Sequence, residues 1–370
     1  MAAAALAFVV LSSAGPATRA AAGPTTTTAA ALPPPKAWIA VDADTGNIIN
    51  AGNDHTALPP ASLTKIITAL AVIYALPATA TVPVSARAAG QPAHKISMKQ
   101  GEVWTLKDSM YSLLLSSAND AAVALAERAG GTVEGFQKMF LATAAALGMA
   151  DHPVLADPAG LDGPDGVDGG NLVSARDLAI AARDLLANPT LAAIVADDVY
   201  TFVGPDGAHH RLLNHNWHFL QTYPGAVGMK TGFTDRAGPC LITAAHRGDR
   251  TMIAVVLNAP NEYTFSVGLL DQGFATPVAS ESPADRLPAA WTGPPRAAPA
   301  PPRDVLVLPG AARTADKLSP TSSRSLLGSV TRLGRGWLFW CMTLLLGTIG
   351  LLRLRVVVRQ SARRRRRVRG

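Results

Sequence analysis

Between about residues 36 and 280 the chain alternates apolar runs of helical spacing with runs of strand-like character, punctuated by Gly and Pro. Residues 63–76 are an apolar, helix-prone run directly behind Pro59-Pro60, so the prolines set its start and Ser62 falls in the first helical turn. Two more helices are predicted at 106–115 and 120–129, with residues 116–119 as the junction between them. Downstream, Tyr223-Pro224-Gly225 reads as a turn. Residues 240–246 and 251–257 are β-like runs joined by Gly248-Asp249, which predicts an antiparallel hairpin or meander. Residues 90–103 and 156–170 are Gly- or Pro-containing loops.

The flanks have a different character. Residues 2–11 are a short apolar run, followed by small residues around 20–22, so 1–22 reads as a secretory signal, although no Lys or Arg precedes the run. Residues 23–35 form an Ala/Thr/Pro-rich spacer and 281–335 a Pro-rich linker. Residues 336–352 contain no charge and lie between Arg335 and Arg353, at the short limit for a membrane-spanning helix, with Trp337 and Trp340 at one interface. The tail 353–370 holds nine arginines and no acid, which the positive-inside rule keeps cytoplasmic. That arrangement predicts a folded domain of residues 36–280 outside the cytoplasmic membrane, held by a single C-terminal span.

Charge changes one inference. The net +7 suggests a nucleic-acid partner, but without the nine tail arginines the rest of the chain carries −2, so no nucleic-acid surface is expected. Of the two cysteines, Cys341 lies in the uncharged stretch and Cys240 on a predicted strand, so no intramolecular disulfide is expected. His209, His210, His215 and His218 have irregular spacing and no HExxH pattern, and they read as strand and loop residues near a cleft rim, with no metal expected.

Three short motifs carry the chemistry. In Ser62-Leu63-Thr64-Lys65 the lysine is one helical turn past the serine, where a neutral amine can take its proton, and the helix N-terminus supplies N–H groups for an oxyanion. In Ser117-Ala118-Asn119, at a helix junction, a hydroxyl can relay a proton and an amide can hold a substrate amide. In Lys230-Thr231-Gly232, a lysine and a hydroxyl beside a glycine make an edge suited to a carboxylate. Alone, each is equally an ordinary helix cap, link or strand start. Their order along one chain is the signature of penicillin-binding proteins and class A β-lactamases.

With Gly160-Leu161, Ala237-Gly238 and Leu270-Asp271-Gln272-Gly273-Phe274, residues 36–280 resemble the D-alanyl-D-alanine carboxypeptidase family of low-molecular-mass penicillin-binding proteins. The resemblance implies an α+β, β-lactamase/transpeptidase-like fold: an antiparallel sheet with helices on both faces and a helical subdomain carrying Ser117 and Asn119. It implies that Ser62 attacks the carbonyl between two terminal D-alanines of a peptidoglycan stem peptide, with Lys65 as base and Ser117 as proton relay. Asn119 would contact the substrate amide, Lys230, Thr231 and Gly232 the terminal carboxylate end, and the backbone N–H groups of Ser62 and Phe233 the oxyanion. β-Lactams would acylate Ser62, and no cofactor is needed.

Two departures from the family pattern stand out. Phe265 falls where many relatives have a carboxylate-binding arginine, leaving Lys230 and Thr231, or Arg236, for that task, and the linker replaces a second, β-rich domain. A class A β-lactamase is disfavoured because no Glu occurs between Glu134 and Glu262. A D,D-endopeptidase using the same site and a catalytically silent, membrane-tethered wall or β-lactam-binding protein remain as alternatives.

Overall fold

A computed structural model describes residues 33–163 and 170–291. It opens with the hairpin β1 (Ala37–Asp42) and β2 (Ile48–Gly52), after which a 3-10 turn, Ala61–Leu63, leads into α1 (Thr64–Ala75). The helical part follows: β3 (Thr81–Pro83), α2 (Ala86–Ala89), β4 (Val103–Thr105), α3 (Leu106–Leu114), α4 (Asn119–Gly130), α5 (Val133–Leu147), α6 (Ala175–Ala187) and α7 (Pro189–Ala196). The hairpin β5 (Val199–Val203) and β6 (His209–Leu213) and the short α8 (Trp217–Thr222) then lead back to the sheet through β7 (Ala226–Thr234), β8 (Gly238–Arg247) and β9 (Arg250–Leu257), closed by α9 (Glu262–Ala275).

The main sheet is antiparallel with strand order β2-β1-β9-β8-β7, so the first strand lies beside the last and β7 is an edge. Side chains alternate across a strand. On β8 and β9, Cys240, Ile242, Ala244, Ile253, Val255 and Leu257 pack into the core with α1 and α6, while Leu241, Ala245, Met252, Ala254 and Val256 pack with Leu269 and Leu270 of α9 and Phe219 of α8. Both faces are covered, which is why these strands read as nearly continuous apolar runs. The fold is the expected α+β arrangement.

Helix ends follow local chemistry. Thr105, Thr132 and Ser174 accept the N–H of Asp108, Gly135 and Asp177 and start α3, α5 and α6, and Asn188 followed by Pro189 starts α7. The helix expected at 63–76 begins one residue later, because Ser62 belongs to the 3-10 turn and not to α1 itself.

The expected domain boundary at 280 moves outward. Asp285 pairs with both Arg176 guanidinium NH groups at 2.9 Å, the Leu287 N–H reaches Gly46 O at 2.8 Å, and Glu281 joins Arg250 and Asp42 in a buried ion cluster. Trp291 closes edge-on over Tyr74 of α1, with ring centroids 4.6 Å apart. The described chain through Trp291 is therefore part of the folded unit: its Pro residues do not prevent packing where arginines and an aromatic hold it. Residues 1–22, 336–352 and 353–370 lie outside the described residues, and among the described residues no single helix is long and apolar enough to cross a membrane.

Candidate active site

The turn carrying Ser62 sits under tight constraint. Ala61 has φ 50°, a left-handed conformation that is costly for a residue with a Cβ, and Ser117 likewise has φ 56°. Lys65, one turn on, is fully buried, and its Nζ lies 2.8 Å from Ser62 Oγ, 2.9 Å from Asn119 Oδ1 and 2.7 Å from Ala159 O. A neutral amine has two N–H donors and one lone pair. Asn119 Oδ1 and Ala159 O can only accept, so they take the two N–H groups and leave the lone pair for the Ser62 hydroxyl proton. Burial pulls the Lys65 amine down to about 7, against the opposing pull of Asp157 and then Asp120.

Asn119 opens α4, and its Nδ2 also donates to Pro92 O at 3.2 Å, leaving one amide N–H for another partner. Its backbone N–H donates to His94 O at 2.7 Å. Asp120, fully buried, accepts from the N–H groups of Met98 at 2.9 Å, Ala121 at 2.9 Å and Ile96 at 3.3 Å, and so ties the 94–98 loop to the start of α4. Ser117 lies two residues before Asn119 and is buried.

The third motif is on β7. Lys230 is 1% exposed, its Nζ donates to Thr231 O at 2.9 Å, and burial followed by the positive Lys65 holds it well below the usual amine range. Gly232 lies against the Ser62 turn: a Cβ there would sit 3.1 Å from Pro60 O and 3.2 Å from Ser62 N. Phe233 pairs with Pro239 of β8, whose carbonyl takes the Ala259 N–H on its other side. Hydrogen-bonding direction alternates along an antiparallel strand, so the Phe233 N–H and Thr231 C=O point off the free edge of β7, and the Phe233 side chain is 65% exposed.

The 156–170 loop, expected to border the cleft, supplies the wall opposite; sequence reasoning missed which of its atoms face Lys65. Ala159 O is held on Lys65 by the 156–161 loop, in which Asp157 takes three backbone N–H groups and Asn171 bonds both that loop and Thr64 Oγ1. Gly160, with φ 78°, approaches so closely that a Cβ would fall 2.0 Å from Ala61 O. The Gly160-Leu161 pair was the available signal. His94 and His215 meet edge to face, centroids 5.5 Å apart, beside the junction that carries Ser117. Phe265 lies away from the Ser62 turn: it meets Trp38 edge-on, centroids 5.6 Å apart, among the residues of α9 and the outer sheet face. Arg236 lies in the β7–β8 turn, its N–H donating to Asp162 Oδ2 at 3.1 Å. Among the described residues no group of three or more His, Cys, Asp or Glu could hold a metal ion.

Known proteins with this fold and sequence pattern exist. The D-alanyl-D-alanine carboxypeptidase family model matches residues 24–261. The chain belongs to that family. It is 34% identical over 246 residues to a D-alanyl-D-alanine carboxypeptidase of Mycobacterium tuberculosis, covering 65% of this chain and 82% of the relative. A Bacillus subtilis relative of the same name is 32% identical over 249 residues, and there the match spans 62% of the relative's length. Among solved structures, a D-alanyl-D-alanine carboxypeptidase of M. tuberculosis matches with TM-score 0.62 at 30% identity, over 69% of this chain and 97% of that one. A Listeria monocytogenes penicillin-binding protein in its ampicillin-bound form matches with TM-score 0.55 at 28% identity, over 65% and 97%. As a member of this family the chain is a serine-type hydrolase.

Proposed function

We propose that this protein removes the terminal D-alanine from peptidoglycan stem peptides through an acyl-enzyme on Ser62, and that β-lactams acylate the same serine. One observation carries the reading: Lys65 Nζ lies 2.8 Å from Ser62 Oγ, with its other two close neighbours both acceptor oxygens. Lys65 takes the serine proton as Oγ attacks the carbonyl carbon. The backbone N–H groups of Ser62 and Phe233 bind the developing oxyanion. Ser117 passes a proton to the leaving D-alanine amine, and the remaining Asn119 N–H holds the substrate amide. Lys230 and Thr231 receive the terminal carboxylate on the free edge of β7, with Gly232 allowing that strand to lie flush against the Ser62 turn. Water then hydrolyses the ester and regenerates Ser62.

The same reading puts the domain outside the cytoplasmic membrane, with residues 336–352 as its span and the arginine-rich tail inside. The test is release of free D-alanine from a peptide ending in D-Ala-D-Ala by the full-length protein and by Ser62→Ala. Release by the wild type alone supports the reading. Cleavage only of cross-linked dimeric muropeptides makes the protein an endopeptidase, and a Ser62-dependent penicillin adduct without any peptide cleavage makes it a binding protein.

A further inference from the structure

Asp157 is 6% exposed, and its Oδ1 accepts three consecutive backbone N–H groups: Ala159 at 2.8 Å, Gly160 at 2.6 Å and Leu161 at 3.1 Å. Three amides converging on one oxygen fold residues 157–161 into a tight turn around the carboxylate. That turn aims Ala159 O at Lys65 Nζ, 2.7 Å away. Asn171 locks the turn from behind: its Oδ1 accepts the N–H groups of Ala156 at 2.7 Å and Asp157 at 2.9 Å, and its Nδ2 donates to Asp157 O at 2.8 Å and Thr64 Oγ1 at 3.0 Å. Thr68 Oγ1 adds a bond to Pro158 O at 2.8 Å. The turn is thus keyed to α1 and, through Gly160, to Ala61, on both sides of the nucleophile.

We propose that Asp157 is a positioning residue for acyl transfer: through the 159–161 turn it fixes the direction of the Lys65 lone pair toward Ser62 and sets a negative charge behind that amine. The inference rests on Lys65 being the base. Without the turn, Ala159 O no longer claims an N–H, and the amine is free to rotate its lone pair off the serine. Without the charge, the amine loses its proton more readily and becomes a weaker base. The ionisable groups facing Lys65 are Asp157 from this loop, Asp120 from α4, Lys230 from β7 and His215 from the β6–α8 turn. Asp157 precedes Asp120 in holding the amine up, while Lys230 and His215 are themselves pushed down, first by burial and then by neighbouring positive charge. Asp157 is therefore the group whose loss moves Lys65 furthest among those that favour its charged form.

The test measures the rate of Ser62 acylation by a fluorescent penicillin from pH 5 to 9 on the full-length protein, for wild type, Asp157→Asn and Asp157→Ala. Asparagine keeps the acceptor oxygen and removes the charge, so the acid limb of the rate moves to lower pH by about one unit while the plateau stays within about tenfold. Alanine releases the turn, and the plateau falls about 100-fold. Thermal unfolding confirms that each variant is folded, and the asparagine variant carries the test if alanine is not. A limb that stays in place or moves upward in Asp157→Asn overturns the inference. A wild type that is not acylated, or a Lys65→Met variant with an unchanged rate and limb, overturns the reading beneath it as well. A limb that depends on Lys65 but ignores Asp157 overturns this inference alone.

Discussion

Lys65 and Lys230 are both buried amines within electrostatic reach of each other, yet their surroundings differ. Lys65 has acceptor or hydroxyl oxygens at 2.7, 2.8 and 2.9 Å and feels two carboxylates. Lys230 has, among the described residues, a single hydrogen bond to the carbonyl of its own neighbour Thr231, and the charge it feels is the like charge of Lys65. Burying an amine with unused donors is costly, so an incoming carboxylate stabilises Lys230 far more than it could stabilise Lys65. Burial is the same; what differs is whether the hydrogen-bonding capacity has already been used. A saturated amine is directed at one atom, whereas an unsaturated one waits for a ligand.

The largest expected effect separates the two roles. Lys65→Met should lower Ser62 acylation by about 10⁴-fold and remove the dependence on pH near 7. In the wild type the neutral amine is the active form, so the rate rises as pH passes upward through about 7. Stopped-flow acylation across that range checks this, and a variant within tenfold of wild type breaks the comparison.

Lys230→Met comes next. Hydrolysis of a peptide with a free terminal carboxylate should fall by about 10²- to 10³-fold, matching the cost of stranding one partner of a buried charged pair. On the same peptide with an amidated C-terminus, wild type and variant should converge to within about fivefold. An equal loss on both peptides would mean that Lys230 acts through Lys65 and not on the ligand.

The smallest effect isolates burial without function. Asp177 in α6 is 1% exposed, and burial, followed by the nearby Asp151, pushes its carboxyl up to about 6 from 3.8. The folded state holds that proton to higher pH than the unfolded chain does. The contribution to stability is therefore fully present below about pH 3.8 and is lost as pH rises through about 6. Asp177→Asn should then raise stability at pH 7 by up to about 3 kcal/mol and leave acylation unchanged, as denaturant unfolding and penicillin binding would measure. No gain would mean that the carboxylate is better solvated than its burial indicates.

Much of this was legible because the information was local. The helices at α1, α3 and α4 and the strands β8 and β9 followed from apolar spacing and their Pro, Thr and Gly punctuation, to within two residues. The end of the domain was not legible: Pro-rich composition marks 281–335 as linker, and residues distant in sequence, among them Gly46, Asn47, Tyr74, Arg176, Arg183, Asp184 and Arg250, hold residues 281–291 in place.

The sequence by itself singled out Ser62, Lys65 and Lys230 as the candidate nucleophile, base and carboxylate-binding lysine, because three short motifs, each ambiguous alone, occur in one order along the chain. Tertiary structure alone decided which oxygens point the Lys65 lone pair, that Gly232 touches the Ser62 turn, that Phe265 belongs to the outer face, and that Asp157 and Asn171 brace the site. These depend on contacts between residues 14 to 227 positions apart. Such pairings have no periodicity to read, because they are set by which faces of the sheet and helices are buried against each other.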